Sequence, residues 1–311
     1  MRASTHRLAG SLSAIFVLLA FPVTDARANA KVCRNQEQRY AQIERQASSI
    51  EINLALFSAA DKDCLDLAKR LLGEGASVEA RDRLGAMPLA RAAAAGEAEF
   101  AILFLEHGAP IDARNLEGST ALYQAAENGR LPMVKLLVER GANVSVPGRN
   151  GITPLSAAAY MGSVPIVELL MEKGADPKTI DNTNKAAIVY AAGRGFPAVV
   201  RVFLDHGVDV NARYGHDLTA LMWAAGHSDE AGINDVTEEM TLFLDRGAHI
   251  DDQDDRGRTA LMIAAELNHA AAVDLLLARG ADKSIKDKQG KTASDLTSLT
   301  ALRDKLAAAP N

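Results

Sequence analysis

The chain has 311 residues, room for one long domain or two ordinary ones. Hydrophobic residues make up 48%, charged residues 24% and aromatics only 5%, an alanine- and leucine-rich balance that suits close packing of helices through small side chains. A formal net charge of −6 argues against nonspecific attraction of the whole molecule to nucleic acid or to an anionic membrane.

The N-terminus opens on Arg2 and Arg7, continues through the apolar run LAGSLSAIFVLLAF and ends in the small-x-small pattern Ala28-Asn29-Ala30. This predicts a cleavable secretory signal over residues 1–30, cut after Ala30. The run is short for a transmembrane helix, which needs about 20 apolar residues. No cysteine directly follows the small residues, as a lipoprotein anchor requires, and no later segment is long and apolar enough to span. Cleavage leaves 31 basic against 39 acidic residues, a net charge of −8. The expected mature protein is therefore periplasmic, acidic and not inserted in the membrane.

Residues 31–48 read as a polar helical segment, laid over the apolar side of whatever follows. Cys33 and Cys64 are the two cysteines, and without a CxxC neither a zinc site nor a thioredoxin-type redox motif is written here. In an oxidising compartment two free thiols pair, so a Cys33–Cys64 disulfide is expected.

From residue 49 onward the chain repeats itself. A Gly-small pair recurs at Gly75-Ala76, Gly108-Ala109, Gly141-Ala142, Gly174-Ala175, Gly207-Val208, Gly247-Ala248 and Gly280-Ala281, at intervals of 33 residues except for one of 40. A second marker keeps step: MPLARAA at 87, TALYQAA at 120, TPLSAAA at 153, AAIVYAA at 186, TALMWAA at 219 and TALMIAA at 259. Two markers in phase across six copies signal a repeat array rather than a closed globular fold.

These residues resemble the ankyrin repeat, whose marks are a Thr-Pro-Leu-His-x-Ala box and a two-helix unit of this length. The resemblance implies an all-α solenoid of stacked helix-turn-helix units with projecting β-hairpin-like fingers. It divides residues 49–311 into a capping repeat 49–81, repeats 82–114, 115–147, 148–180, 181–213, 214–253 and 254–286, and a C-terminal partial repeat 287–311 whose short helix lies near 299–307. The threonine of the box is expected to cap the first helix, and proline fits the first helical position because its missing N–H is unpaired there anyway. Alanine pairs such as Ala125-Ala126 and Ala157-Ala158 keep that helix thin, and Gly129, Gly162 and Gly195 allow the turn between helices. The second helix carries an apolar stripe, as in Val134, Leu137 and Val138, and ends at a glycine. The family's box histidine is replaced throughout, by Ala90, Tyr123, Ser156, Val189, Met222 and Met262, which removes the hydrogen bonds it would make between repeats. Cys64 falls at the start of the capping repeat's second helix, so a disulfide to Cys33 would staple the N-terminal segment down. The 40-residue interval comes from extra residues at 228–235, between the two helices of repeat 214–253, either a binding loop or a tolerated surface insertion.

Catalytic constellations do not emerge. GEGASV at 73 lacks the third glycine of a dinucleotide fingerprint and sits at a helix stop. DDQDDRGRT at 251 resembles a calcium loop, but a start at Asp252 puts Ile263 where the bidentate Glu belongs. His107 and His206 precede helix-ending glycines and suit a capping role. The spacing of His216, Asp217, His227 and Asp229 matches no standard metal site, and Trp223 reads as packing. No cofactor and no metal are expected.

The fingers carry Arg81, Arg83, Arg114, Arg149, Lys185, Arg213, Arg256 and Arg258, opposed mainly by Glu117 and Asp255. This is a basic stripe on an acidic molecule, unless each base pairs with a neighbouring Asp. Arg149, Asn150, Tyr160, Met161, Lys185, Arg194 and Arg213 vary between copies while packing positions repeat, so packing does not dictate them. They are the candidate partner-binding residues. The expectation is a monomeric, noncatalytic protein-binding solenoid in the periplasm, its concave face fitting an acidic partner. A secreted host-directed effector, or an enzyme with a site near the insertion, are the competing readings.

Overall fold

The computed structural model describes residues 26–227 and 233–307. Most of the expected signal segment and the middle of the insertion, Asp229 included, lie outside the described residues.

Helix α1 (Ala26–Ala41) begins before the expected cleavage point rather than after it. It packs on α2 (Ser49–Asp61) and α3 (Leu65–Gly73). Tyr40 is buried in that contact and donates to Glu74 Oε2 at 2.6 Å. Burial, then the hydrogen bond to Glu74, pushes the Tyr40 hydroxyl up to about 12. A disulfide joins Cys33 to Cys64, the residue before α3, with the Cα atoms 5.3 Å apart.

Beyond this cap the chain lays down helix pairs: α4 (Pro88–Ala95) with α5 (Ala98–Glu106), α6 (Ala121–Glu127) with α7 (Leu131–Glu139), and α8 (Pro154–Tyr160) with α9 (Val164–Glu172). Next come α10 (Ala187–Ala192) with α11 (Pro197–Asp205), α12 (Ala220–Ala225) with α13 (Ile233–Asp245), and α14 (Ala260–Glu266) with α15 (Ala270–Ala278). The array ends in α16 (Ala293–Leu296) and α17 (Thr300–Ala307). First helices contact first helices and second helices contact second helices, so the pairs form two layers. Residues 233–235 of the insertion are not loop: they extend α13 by a turn at its N-terminus.

The first layer meets through alanine. Ala92-Ala93, Ala125-Ala126, Ala158-Ala159, Ala191-Ala192, Ala224-Ala225 and Ala264-Ala265 are all buried. The packed pair in α8 is thus Ala158-Ala159, one residue later than the spacing of alanines suggested, because Thr153 rather than Ser156 sets the register. The second layer meets through bulkier triplets, Phe100-Ala101-Phe104, Met133-Val134-Leu137, Ile166-Val167-Leu170 and Val199-Val200-Phe203. Small residues let one layer draw together while larger ones spread the other, which curves the array with the first helices and fingers on the inner side.

Local chemistry agrees with this plan. The side chains of Thr120, Thr153, Thr219 and Thr259 accept the N–H three residues on. The glycines closing the second helices, such as Gly141 at φ 91°, are left-handed, a conformation that strains residues bearing a Cβ.

The fingers are not hairpins. Among the described residues there is no strand, and the single bridge pairs Tyr214 with Leu218. The fingers are reverse turns closed by backbone bonds, such as Asp82 N–H to Ala86 O (3.0 Å) with Gly85 N–H to Asp82 O (2.9 Å), or Asp181 N–H to Lys185 O (2.9 Å) with Asn184 N–H to Asp181 O (3.0 Å). The leading Asp or Asn folds the turn over itself: Asp82 Oδ1 accepts from the N–H groups of Leu84 and Ala86, and Asn115, Asp181, Asp254 and Asp287 do the same. Much of each finger's hydrogen bonding is therefore spent within its own turn.

Replacing Thr259 by Ala removes the acceptor at the α14 N-terminus and is expected to cost about 1 kcal/mol in denaturant unfolding, with Thr259→Ser close to neutral. Reduction of the disulfide is expected to leave the repeats folded and to make α1 the first site of limited proteolysis.

Candidate functional site

On the inner side the first helices bear two rows of positions that differ from copy to copy. Arg91, Gln124, Ala157, Tyr190, Trp223 and Ile263 share one register. One turn on, Glu127, Tyr160, Gly193, Gly226 and Glu266 share another. Large and small residues alternate across these rows, and that alternation builds a patch. The glycine at 193 lets the Trp223 ring lie over α10, its Cε3 3.9 Å from where a Cβ would stand. The tyrosines at 160 and 190 meet edge to face at 6.4 Å.

Two cations sit on these rings. Lys185 Nζ lies 4.9 Å from the Trp223 centroid and 5.9 Å from that of Tyr190. Arg194 lies 4.7 Å from the centroid of Tyr160, 5.9 Å from that of Phe196, and donates to the Tyr160 hydroxyl at 3.3 Å. Phe196 is itself seated against Gly162, where a Cβ would come within 2.8 Å of its ring. The Trp223 indole N–H is buried without a hydrogen-bond partner. Tyr190 is held by its hydroxyl, which donates to the Asp181 carboxylate. Burial pushes Asp181 up, but hydrogen bonds from Tyr190, Thr183 and the backbone outweigh it and hold the carboxyl below its ordinary value.

Of the residues singled out in the sequence, Tyr160, Lys185 and Arg194 belong to this patch, and Met161 is exposed beside it at the end of α8. Arg149 lies 3.5 Å from Glu117, with both side chains more than half exposed. Asn150 is left-handed (φ 56°), and its carbonyl accepts from the Asn182 N–H of the next finger. Arg213 lies outside the patch: its guanidinium donates to the carbonyls of Asp217 (3.1 Å) and Gln253 (2.8 Å) and meets Asp252 at 3.3 Å. Arg81 and Arg114 bind in the same way, each donating to a carbonyl of its own finger and one of the next. Arg256 and Arg258 are engaged by Asp254 and by Glu266 with Asp287. Much of the basic stripe is therefore a set of braces between fingers.

Sequence reasoning read Trp223, in the slot that Tyr190 and Ile263 fill in neighbouring copies, as packing and passed over Phe196. The histidines before the helix-ending glycines cap as expected, His107 and His206 binding the Leu103 and Val202 carbonyls through Nδ1. His216 pairs with Asp255 at 2.9 Å, and His227 stacks on His269 with centroids 3.9 Å apart. Among the described residues no group of three or more His, Cys, Asp or Glu side chains could hold a metal ion, and no helix is long and apolar enough to cross a membrane.

A two-layer helical solenoid with a decorated inner face and turn-shaped fingers defines a class of repeat scaffold. The description "Ankyrin repeats (3 copies)" matches residues 56–148, 145–214 and 214–287, and the chain belongs to this family. Among solved structures, the human ASB11 ankyrin repeat domain is similar at 25% identity and a TM-score of 0.64, covering 73% of this chain and 100% of its own. Ankyrin repeats generally mediate protein–protein interaction and are typically noncatalytic.

Because Asp181 is held below the ordinary carboxylate value of about 3.9, its stabilisation is in place above that pH and is lost as pH falls through the folded value. Acid titration of melting temperature should therefore show a smaller loss on the acid side in Asp181→Asn than in the parent chain, with Tyr190→Phe intermediate.

Proposed function

We propose that this chain is an exported, noncatalytic binding protein of the bacterial periplasm that holds an acidic segment of a protein partner on its concave face. The observation that carries the reading is the patch of Tyr160, Lys185, Tyr190, Arg194 and Trp223, where two cations rest on aromatic rings of an otherwise acidic molecule. Lys185 on its ring faces still presents charge outward to a carboxylate, and the rings supply rigid apolar area at little cost in side-chain entropy. Export rests on the basic start, apolar run and Ala28-Asn29-Ala30 of the N-terminus, and a disulfide between Cys33 and Cys64 suits an oxidising compartment.

The binding test is capture from periplasmic extract, with the mature chain as bait beside a Lys185→Glu/Arg194→Glu double variant. The parent should retain a partner in a salt-sensitive manner, and the variant should lose it, at about 2 kcal/mol or more for a central hot spot. Both side chains are half-buried on rings, contacts worth about 0.5–1 kcal/mol each, so the variant should melt somewhat below the parent and capture is compared at a temperature where both are folded. Equal capture by both would remove the patch as the working surface. Trp223 is the single tryptophan, so its emission should shift when a partner seats on the patch.

Sequencing the N-terminus of the native protein checks export. A start at Lys31 and retention in the periplasm are the expected results, and release into the medium would favour a secreted effector.

A further inference from the structure

The second helices place a buried residue at one position in every repeat: Leu67, Phe100, Met133, Ile166, Val199, Glu239 and Ala272. Six of the seven are apolar. Glu239 is 0% exposed, and neither of its carboxylate oxygens has a hydrogen-bond partner. The rest of its triplet, Met240 and Phe243, follows the common pattern, so only this carboxyl departs from it.

We propose that Glu239 makes the fifth repeat a proton-controlled seam in the array: while the carboxyl keeps its proton the repeat stays stacked, and ionisation loosens it from its neighbours. A neutral carboxylic acid can be buried at moderate cost, whereas an unpaired carboxylate in an apolar interface is far more costly. Among the described residues nothing nearby offsets that cost. The helices packed on α13 are α11, α12 and α15. α11 presents Val199, Val200 and Phe203 from its buried face. Its ionisable groups are exposed and otherwise paired, Arg201 with Glu238 at 3.7 Å and Asp205 with Arg246 at 2.7 Å. α12 has no ionisable side chain. α15 buries Ala272, Val273 and Leu276, while its Asp274 is exposed and bound to Lys305. His269, preceding α15, is engaged with the Ala225 carbonyl. On α13 itself, Asp245 pairs with Arg279, and the charge acting on Glu239 is that of Asp235, another carboxylate.

Burial and then Asp235 raise Glu239 well above the ordinary carboxylate range. The folded repeat therefore binds a proton that the unfolded chain releases above about pH 4.3. Its stability is greatest below that value, declines as pH rises, and levels off once the folded carboxyl ionises. In a solenoid each repeat answers mainly to its neighbours, so the loss is local.

Hydrogen exchange on the full chain between pH 5 and pH 8, corrected for intrinsic exchange, tests this. Protection in α12 to α15 should fall by up to about tenfold per pH unit, the limit for one linked proton, while α4 to α9 change less. Glu239→Met should abolish that dependence and raise protection at pH 8 above the parent's. Glu239→Gln, which keeps the side-chain shape without the charge, should abolish the dependence too, and it decides the matter if the Met variant fails to fold. Parent-like pH dependence in the variants, a uniform response along the array, or failure of both variants to fold would overturn the proposal.

Discussion

Every feature of this molecule answers to the need of each helix pair to be covered on both sides. A pair of short helices, such as the 6-residue α10 with the 9-residue α11, cannot enclose its own apolar surface, so Leu137 or Phe203 is buried only because the neighbouring repeats supply the other wall. The alanine pairs bring the first helices close, the bulky triplets hold the second helices apart, and curvature follows from the difference. The fingers extend the same logic to the backbone. Leu116 N–H binds Leu84 O, Asn182 binds Asn150, and Lys288 binds Arg256, so consecutive turns are tied by one bond each. Arg81, Arg114 and Arg213 bridge other carbonyls of neighbouring fingers from their side chains.

Stacking also determines where a partner surface can be. Packing consumes the faces between repeats, the finger turns consume most of their own polar groups, and the bases leading the fingers act as braces. What remains is the inner edge of the first helices. There the third to fifth repeats carry Tyr160, Tyr190 and Trp223 where other copies carry non-aromatic residues, among them Arg91, Gln124, Glu127 and Ile263, at the matching positions. The surface is thus set by departures from the repeat on a scaffold set by its regularities. Clefts of about 360, 270 and 420 Å³ open instead at the N-terminal end, around α1, α2 and the first finger, away from these aromatics.

Departures inside the scaffold matter in the opposite way. Gly148 and Tyr214 stand where other fingers begin with Asp or Asn, and these two fingers tighten into short 3-10 turns with Asn150 and His216 left-handed. Glu239 stands where other copies have an apolar side chain, in the helix that the insertion lengthens. Local inconsistency with an otherwise regular pattern is where strain or function is expected to lie in a folded protein.

The period, the threonine caps, the helix-ending glycines and the solenoid class were all legible in the sequence, because each depends on residues within about one turn of one another and recurs in phase. Sequence alone also brought Cys33 and Cys64 forward as partners. What it misread were properties of neighbours 33 residues away. The bases leading the fingers read either as a free stripe or as partners of a neighbouring Asp, and only the stacked carbonyls show Arg81, Arg114 and Arg213 to be braces. Trp223 looked like packing, because the glycine at 193 that opens its ring face and the Lys185 that covers it both come from the preceding repeat. Glu239 is written beside another carboxylate, Glu238, and its burial emerges only when α11, α12 and α15 close around α13. Short-range hydrogen bonding specifies the unit, but burial and the pairing of charges are decided across the interface between units, where the chain brings together residues it does not write side by side.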